Sequence, residues 1–247
     1  MMRQPLLLDL FAGSGGAGQG YTLSGFRVVG VDLDAERLKV NPHEHYQGDA
    51  IETLDSLLGG DEWNGYRLAD FAAFHASPPC QDYSVSRHVP RKLGNKKDYP
   101  RLIIPVRERL QATGLPWVIE NVVGSERDMN APIMLCGSMF GLHLRRHRWF
   151  DSNCLLFAAG SCCHSDEDIG VYGHGAYRMS SAYRTGSTYL SKGKIHYRPQ
   201  NCCIAEARKA MGISWMNFRD LAQAIPPAYT HWLGAQLLRV VMREGVA

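Results

Sequence analysis

The sequence predicts an α/β fold with a mainly parallel sheet. Two observations carry this expectation. Apolar segments alternate with helical patterns over the first 150 residues, and a glycine-rich turn joins the first such segment to the first helix. Leu6 to Leu10 reads as the opening strand. Gly13 to Gly20 forms the turn and leads into a helix that Gly25 ends, and Phe26 to Val31 is a second strand finishing at Asp32 and Asp34. Further strands are expected at His45 to Gln47, Phe71 to His75 and Trp117 to Val122, with a helix over Leu102 to Ala112. From Asp151 to about Asn201 the composition turns to Gly, Ser, Tyr and His and helical periodicity disappears, which predicts a small irregular or β-rich insertion. Ile204 to Met211 and Ala228 to Met242 again read as helices, with Pro226 and Pro227 as a rigid helix start. Residues 1–150 and 202–247 are therefore expected to form one domain, and 151–201 a second, small one.

The composition is that of an ordinary globular protein. The chain has 247 residues, 45% of them hydrophobic, and 27 Lys+Arg against 24 Asp+Glu give a net charge of +3. So mild a balance does not argue for nucleic acid by itself; the position of the basic residues has to. No apolar run approaches the roughly 18 residues of a membrane span, because Asp9 cuts the run Leu6 to Phe11. Neither a secretory signal nor a membrane partner is expected, so the reading is an intracellular, cytoplasmic monomer. Seven cysteines, an odd number, read as reduced thiols.

Gly13, Gly15 and Gly18 satisfy G-x-G-x-x-G between a strand and a helix, where a ligand can approach the backbone at a helix N-terminus. Asp32 stands where ribose hydroxyls are bound, a geometry that suits NAD, FAD and S-adenosylmethionine alike. In Ala76-Ser77-Pro78-Pro79-Cys80-Gln81, Cys80 falls just beyond a strand's carboxyl end, where open α/β sheets build their sites, and the prolines hold its thiol in one orientation as a candidate nucleophile. Glu120 stands near the end of the apolar strand Trp117 to Val122, where burial favours a protonated carboxyl. Arg87, Arg91, Lys92, Lys96, Lys97 and Arg101 crowd the segment after Cys80 and face only Asp98, as in a phosphate-contacting loop.

These stretches resemble the motifs of the cytosine carbon-5 DNA methyltransferase family. Asp9-Leu10-Phe11-Ala12-Gly13-Ser14-Gly15-Gly16 resembles the first motif, Ser77-Pro78-Pro79-Cys80-Gln81 the nucleophile motif, Glu120-Asn121-Val122 the carboxylate motif and Arg146-His147-Arg148 the arginine motif. Leu221 to Ala228 is similar to the last motif. The resemblance implies a Rossmann-like methyltransferase sheet and S-adenosylmethionine as cofactor, held by Phe11, Gly13, Gly15, Gly16, Asp32, Asp49, Pro78 and Gln223. It further implies that Cys80 attacks cytosine carbon 6, that Glu120 grips N3 and the amine, that Arg148 donates to O2, and that Arg146 braces the site. Double-stranded DNA is the implied partner, contacted by Gln81, Ser84, Arg87, Arg91, Lys92, Lys96, Lys97, Asn121 and Val122, with 151–201 as the target recognition region. Two departures stand out. Leu144 replaces the usual glutamine of the arginine motif, and Ala222-Gln223 replaces Gly-Asn in the last.

Cys154, Cys162, Cys163, His164, Cys202 and Cys203 invite a zinc reading, but they lack two clean C-x-x-C or C/H pairs, so ordinary thiols and no metal are expected. Three other functions stay open: a nucleic-acid-binding protein without catalysis, a methyltransferase of cytosine in structured RNA, and an NAD-dependent oxidoreductase. The last leaves Cys80, Glu120 and the basic loop without a role.

Overall fold

The computed structural model describes residues 4–83, 100–165, 168–173, 175–178, 188–191, 194–197 and 201–245. Its centre is a sheet of seven strands. In chain order these are β1 (Leu6–Leu10), β2 (Arg27–Asp32), β3 (Glu44–Gln47), β4 (Phe71–Ala76), β5 (Trp117–Asn121), β6 (Ile133–Leu135) and β7 (Arg148–Ser152), arranged 3-2-1-4-5-7-6. The first five are mutually parallel, as expected; β7 runs antiparallel to β5, and β6 antiparallel to β7. This hairpin was not anticipated from sequence. Its strand β7 extends to Ser152, past the expected domain boundary, and pairs Ser152 with Val118.

β1 reads Leu-Leu-Leu-Asp-Leu and is buried along its whole length, as a central parallel strand covered on both faces requires. The period-two alternation sends Leu8 and Leu10 to one core and Leu7 to the other. The first core packs beneath α3 (Ala50–Leu58) and α4 (Ile103–Ala112), and the second beneath α1 (Gly16–Ser24) and the C-terminal helix α7 (Pro227–Glu244). Side-chain caps start the helices after β2 and β3. Asp34 accepts from the amides of Glu36 and Arg37 to start the short α2 (Ala35–Leu38), and Asp49 accepts from those of Ile51 and Glu52 to start α3.

The segment expected to be irregular or β-rich contains β8 (Ile169–Tyr172), β9 (Gly175–Arg178), the pair β10 (Thr188–Ser191) and β11 (Lys194–Tyr197), and β12 (Asn201–Cys202). β8, β9 and β12 form a three-stranded antiparallel sheet. Its apolar side joins helices α5 (Ile204–Met211) and α6 (Phe218–Gln223) in a third core of Ile169, Val171, Ala176, Met211 and Leu221. Leu144 is fully buried in that core. A glutamine at this position would need hydrogen-bond partners in an apolar cluster, which is a physical reason for the leucine. Among the described residues, no helix is long and apolar enough to cross a membrane.

Candidate active site

Three neighbouring parallel strands end level with one another. Leu10 and Ile119 both stand beside Ala76, so Phe11, Ser77 and Glu120 follow at the carboxyl edge of β1, β4 and β5. The loop after β4 is tied down at three points. The Ser77 amide donates to the Leu10 carbonyl (3.1 Å), the Tyr83 amide to the Cys80 carbonyl (3.1 Å), and the buried Asn121 side chain donates through Nδ2 to the Pro78 carbonyl (2.9 Å). Tyr83 adds a fourth tie, its hydroxyl donating to Asp128 Oδ2 (2.8 Å). Gly124 lets the turn after β5 meet this loop, because a Cβ there would collide with the Tyr83 carbonyl oxygen. Cys80 is left half-buried and Gln81 exposed at the loop's tip.

Glu120 lies at 6% exposure and forms an ion pair with Arg148, Nε to Oε1 at 2.9 Å. The antiparallel register explains the pairing. Glu120 stands opposite Phe150, so Arg148, two residues earlier on β7, shares its face as a diagonal neighbour. Burial pushes the Glu120 carboxyl up, while Arg148, Arg146 and a hydrogen bond from Ser77 pull it down. Burial also pushes the Cys80 thiol up, the Glu120 charge adds to this, and Arg148 and Arg146 oppose it. Thiol and carboxyl therefore titrate in each other's field and in the field of the two arginines.

A buried polar chain stands behind Glu120. Tyr21 Oη lies 3.0 Å from His75 Nδ1, and His75 Nε2 lies 2.9 Å from Ser77 Oγ. Burial takes the His75 pKa down to about 3, so its imidazole is neutral and offers one donor and one acceptor. Because Ser77 donates to Glu120, its oxygen is free to accept from Nε2–H, and Nδ1 then accepts from the Tyr21 hydroxyl. Sequence reasoning passed over this chain, since nothing local marks Tyr21 or His75 as partners.

The glycine loop closes the other side of the edge. Phe11 adopts φ 62° and Gly15 φ 82°, and a Cβ on Gly15 would strike the Asn41 side chain. Asp32 accepts from the amides of Gly13 (2.9 Å) and Asp34 (2.8 Å), and Asn41 Nδ2 donates to the Gly13 carbonyl (3.0 Å). Gly16 abuts the Ile225 carbonyl, and Trp215 Nε1 donates to the Ser14 carbonyl (2.9 Å). The segments on both sides of α6 are thus fastened to the loop, with Gln223 of α6 exposed. Beneath, Asp9 is almost fully buried, and burial together with the Asp32 charge pushes its carboxyl up to about 8.

The structure brings together Cys80, Glu120 and Arg148, and separately Phe11, Gly13, Gly15, Gly16 and Asp32. Arg146 is entirely buried, its guanidinium donating to the carbonyls of Val171 and Ala222 (both 2.8 Å), and the Tyr229 hydroxyl donates to the Arg146 carbonyl (2.6 Å). Burial lowers its pKa to about 9, which leaves it charged at neutral pH. Asp49 Oδ1 caps α3, and Asn121, expected at nucleic acid, is buried and spends its amide on Pro78 and on the Val122 amide. Val122 is half-buried. Ser84, Arg87, Arg91, Lys92, Lys96 and Lys97 lie outside the described residues. Trp215 and Asn41 were not singled out from sequence, and Asp9 was noted as an acid inside an apolar run and as part of the glycine-loop motif but given no role of its own.

No family model and no curated protein matches this chain. Solved structures do. The Entamoeba histolytica methyltransferase EhMeth aligns over 97% of this chain and 99% of its own at 14% identity, with a TM-score of 0.58. The S. pombe Dnmt2 methyltransferase gives the same coverage at 13% identity and 0.58. A proposed DNA modification methyltransferase encoded within an E. coli prophage aligns over 97% and 99% at 15% identity, with a TM-score of 0.53. At these identities the likeness is one of fold. The chain has the Rossmann-like α/β fold of methyltransferases along nearly its whole length.

Proposed function

We propose that this protein transfers a methyl group from S-adenosylmethionine to carbon 5 of cytosine in DNA, through a covalent adduct on Cys80. The observation that carries the reading is the grouping of Cys80 with the buried Glu120–Arg148 pair at the carboxyl edge of β4 and β5. The neighbours' names support the methyl-transfer chemistry, and the prophage protein's name supports DNA as substrate.

The residues present fit the cofactor. A Cβ built on Gly13 would meet nothing nearer than Asp32 and Arg37 side-chain atoms at 3.9–4.0 Å, and the buried Ser14 hydroxyl has no hydrogen-bond partner among the described residues. Phe11, the loop amides from Gly13 to Gly16 and Asp32 would hold it, with Asp49, Pro78 and Gln223 at the margins. When bound, it supplies an electrophilic methyl group on a sulfonium.

Carbon 5 of cytosine is a poor nucleophile. A Cys80 thiolate adding to carbon 6 forms a C–S bond and makes carbon 5 an enamine carbon able to take up the methyl group. Glu120 favours that addition by holding a proton at N3, and its burial pushes the carboxyl toward the protonated form against the pull of Arg148. Arg148 orients Glu120, and its charge favours the thiolate. Loss of the carbon 5 proton to a base then expels the Cys80 thiolate and restores the aromatic ring. A cytosine within a duplex has to leave the stack to reach the edge of β4, which gives the basic segment after Cys80 and the region 151–201 their proposed roles in phosphate contact and base recognition.

Duplex DNA carrying 5-fluorocytosine blocks the final elimination, so it tests the proposal directly. A denaturation-resistant protein–DNA band is expected with wild type and S-adenosylmethionine and absent with Cys80→Ala. A band on matched RNA but not on DNA would move the substrate assignment to RNA. No band on either, with cofactor binding intact by calorimetry, would overturn the reading in favour of a binding protein without catalysis.

A further inference from the structure

A second cluster of reactive side chains lies beside the arginine strand and takes no part in the chemistry above. Cys136 follows β6 and His147 precedes β7. Leu135 pairs with Arg148 across the antiparallel ladder, so the next residues outward, Cys136 and His147, face each other at its end. The loop after β7 returns Cys162 and His164 to the same point. One ligand atom from each of the four residues lies within 4.8 Å of all the others.

The distances between these atoms are hard to satisfy with hydrogen bonds alone. His164 Nε2 lies 3.3 Å from Cys136 Sγ, 3.1 Å from His147 Nε2 and 2.8 Å from Cys162 Sγ, and His147 Nε2 lies 3.3 Å from Cys162 Sγ. A ring nitrogen carries either one N–H or one lone pair, so it can serve one partner well and not three. A cation among the four atoms removes the conflict. With metal–sulfur and metal–nitrogen bonds of about 2.3 and 2.0–2.1 Å, a tetrahedral site has edges of roughly 3.3–3.8 Å. The observed separations are close to that range and somewhat shorter.

We propose that Cys136, His147, Cys162 and His164 bind a structural zinc ion. Two thiolates and two neutral imidazoles balance its charge, and binding releases the two thiol protons to solvent. Mixed thiolate and imidazole ligands select zinc over calcium or magnesium, which take oxygen. Four protein ligands leave no open position for a substrate or an activated water, so the role is structural. Ser138 supports the site from outside, its hydroxyl donating to Cys162 Sγ (3.6 Å) and accepting from the Cys163 amide (3.1 Å). The ion would pin the loop after β7 to the end of the β6–β7 hairpin. His147 sits between Arg146 and Arg148, so the same ion would fix the start of the strand that carries both arginines. This assignment reverses the sequence-based expectation of ordinary thiols and does not depend on the methyl-transfer reading. Sequence inspection named Cys162 and His164 but paired them with Cys154, Cys163, Cys202 and Cys203, and it missed the two ligands that only strand pairing brings near.

The test is the metal content of the full-length protein purified without chelator from zinc-replete cells. About one zinc per chain is expected in wild type and in Cys163→Ser, and at least about tenfold less in Cys162→Ser/His164→Ala. Cobalt added to metal-stripped wild type should give thiolate charge-transfer bands and the intense visible absorption of a tetrahedral ion. If the double variant does not fold, stripping zinc from wild type should lower its melting temperature and readdition should restore it. Wild type carrying no more zinc than the double variant would overturn the proposal, as would equal zinc loss in Cys163→Ser, or thiol titration showing a Cys136–Cys162 disulfide.

Discussion

Strands β1, β4 and β5 reach the candidate active site mainly through apolar sheet, with Asp9 and His75 as buried polar exceptions, whereas β7 and the residues just before it reach it through buried charge. In the first region Leu8, Leu10, Phe74 and Ile119 are wholly buried, and burial of each is worth about 1.5–3 kcal/mol. Such contacts are non-directional and tolerant of small shifts. In the second, the Arg146 guanidinium is spent on two carbonyls from different elements, and Arg107 from α4 pairs with Asp151 of β7 at 2.8 Å with both side chains nearly inaccessible. These contacts fix position more than they add stability, because desolvation offsets most of the attraction. The parallel half carries the nucleophile and the carboxylate on a rigid platform. The antiparallel half brings the arginines to them, and its accuracy depends on a few directional bonds.

The largest predicted effect falls on one of those bonds. Asp151 also accepts from the Asn130 amide (3.1 Å), and Arg107 donates to the Asp128 carbonyl. The Asp128 carboxylate in turn holds Tyr83, three residues after Cys80. Asp151→Ala should therefore cost about 3–5 kcal/mol by leaving a buried guanidinium uncompensated, and should also loosen the nucleophile loop. Chemical denaturation measures the first effect, and the rate of Cys80 alkylation the second. A loss below about 1 kcal/mol, of the size of an exposed pair, would break the contrast between the two halves.

A smaller effect is expected in the apolar half, with the opposite sign. The Asp9 carboxyl is raised from 3.8 to about 8, chiefly by burial and then by the Asp32 charge. The folded chain therefore keeps a proton that the unfolded chain releases near pH 4. Stability is undiminished below about pH 4, falls as pH rises toward 8, and the loss is complete above that. Asp9→Asn removes the penalty. It should raise the melting temperature by several degrees at pH 8, with little change at pH 4. A shift of equal size at both pH values would mean that Asp9 stays ionised in the fold.

The same contrast governs what could be read from the sequence. The parallel half was legible because its signals are contiguous. Strand β1 is an apolar run, the glycine loop follows it directly, and Pro78-Pro79-Cys80 sits at the end of β4. The Glu120–Arg148 pair was legible only as two separate residues, since their contact depends on antiparallel register. β6 and β7 escaped because strands of three and five residues, the second reading Arg-Trp-Phe-Asp-Ser, carry no clear alternation. Arg107–Asp151 and Cys136–His147 escaped for a related reason. Each pair is made by the fold, from residues far apart or unremarkable in sequence. One element was missed although its signals were present: α3 has Asp49 as its cap and Leu54 and Leu57 on its buried face.

Asp49 gives the smallest prediction and separates a local role from a functional one. Its Oδ1 accepts from the Ile51 amide at 2.7 Å and the Glu52 amide at 3.1 Å, so Asp49→Ala should cost about 1 kcal/mol through the lost cap alone. Asp49→Ser keeps the cap and removes the charge. If Asp49 also serves the cofactor, both variants should weaken S-adenosylmethionine binding by calorimetry, while Asp49→Ser keeps wild-type stability. If it serves only α3, Asp49→Ser should bind as wild type does, and Asp49→Ala should differ from it in melting temperature and not in affinity. The pair of variants thus assigns the residue to the scaffold or to the cofactor pocket without relying on turnover.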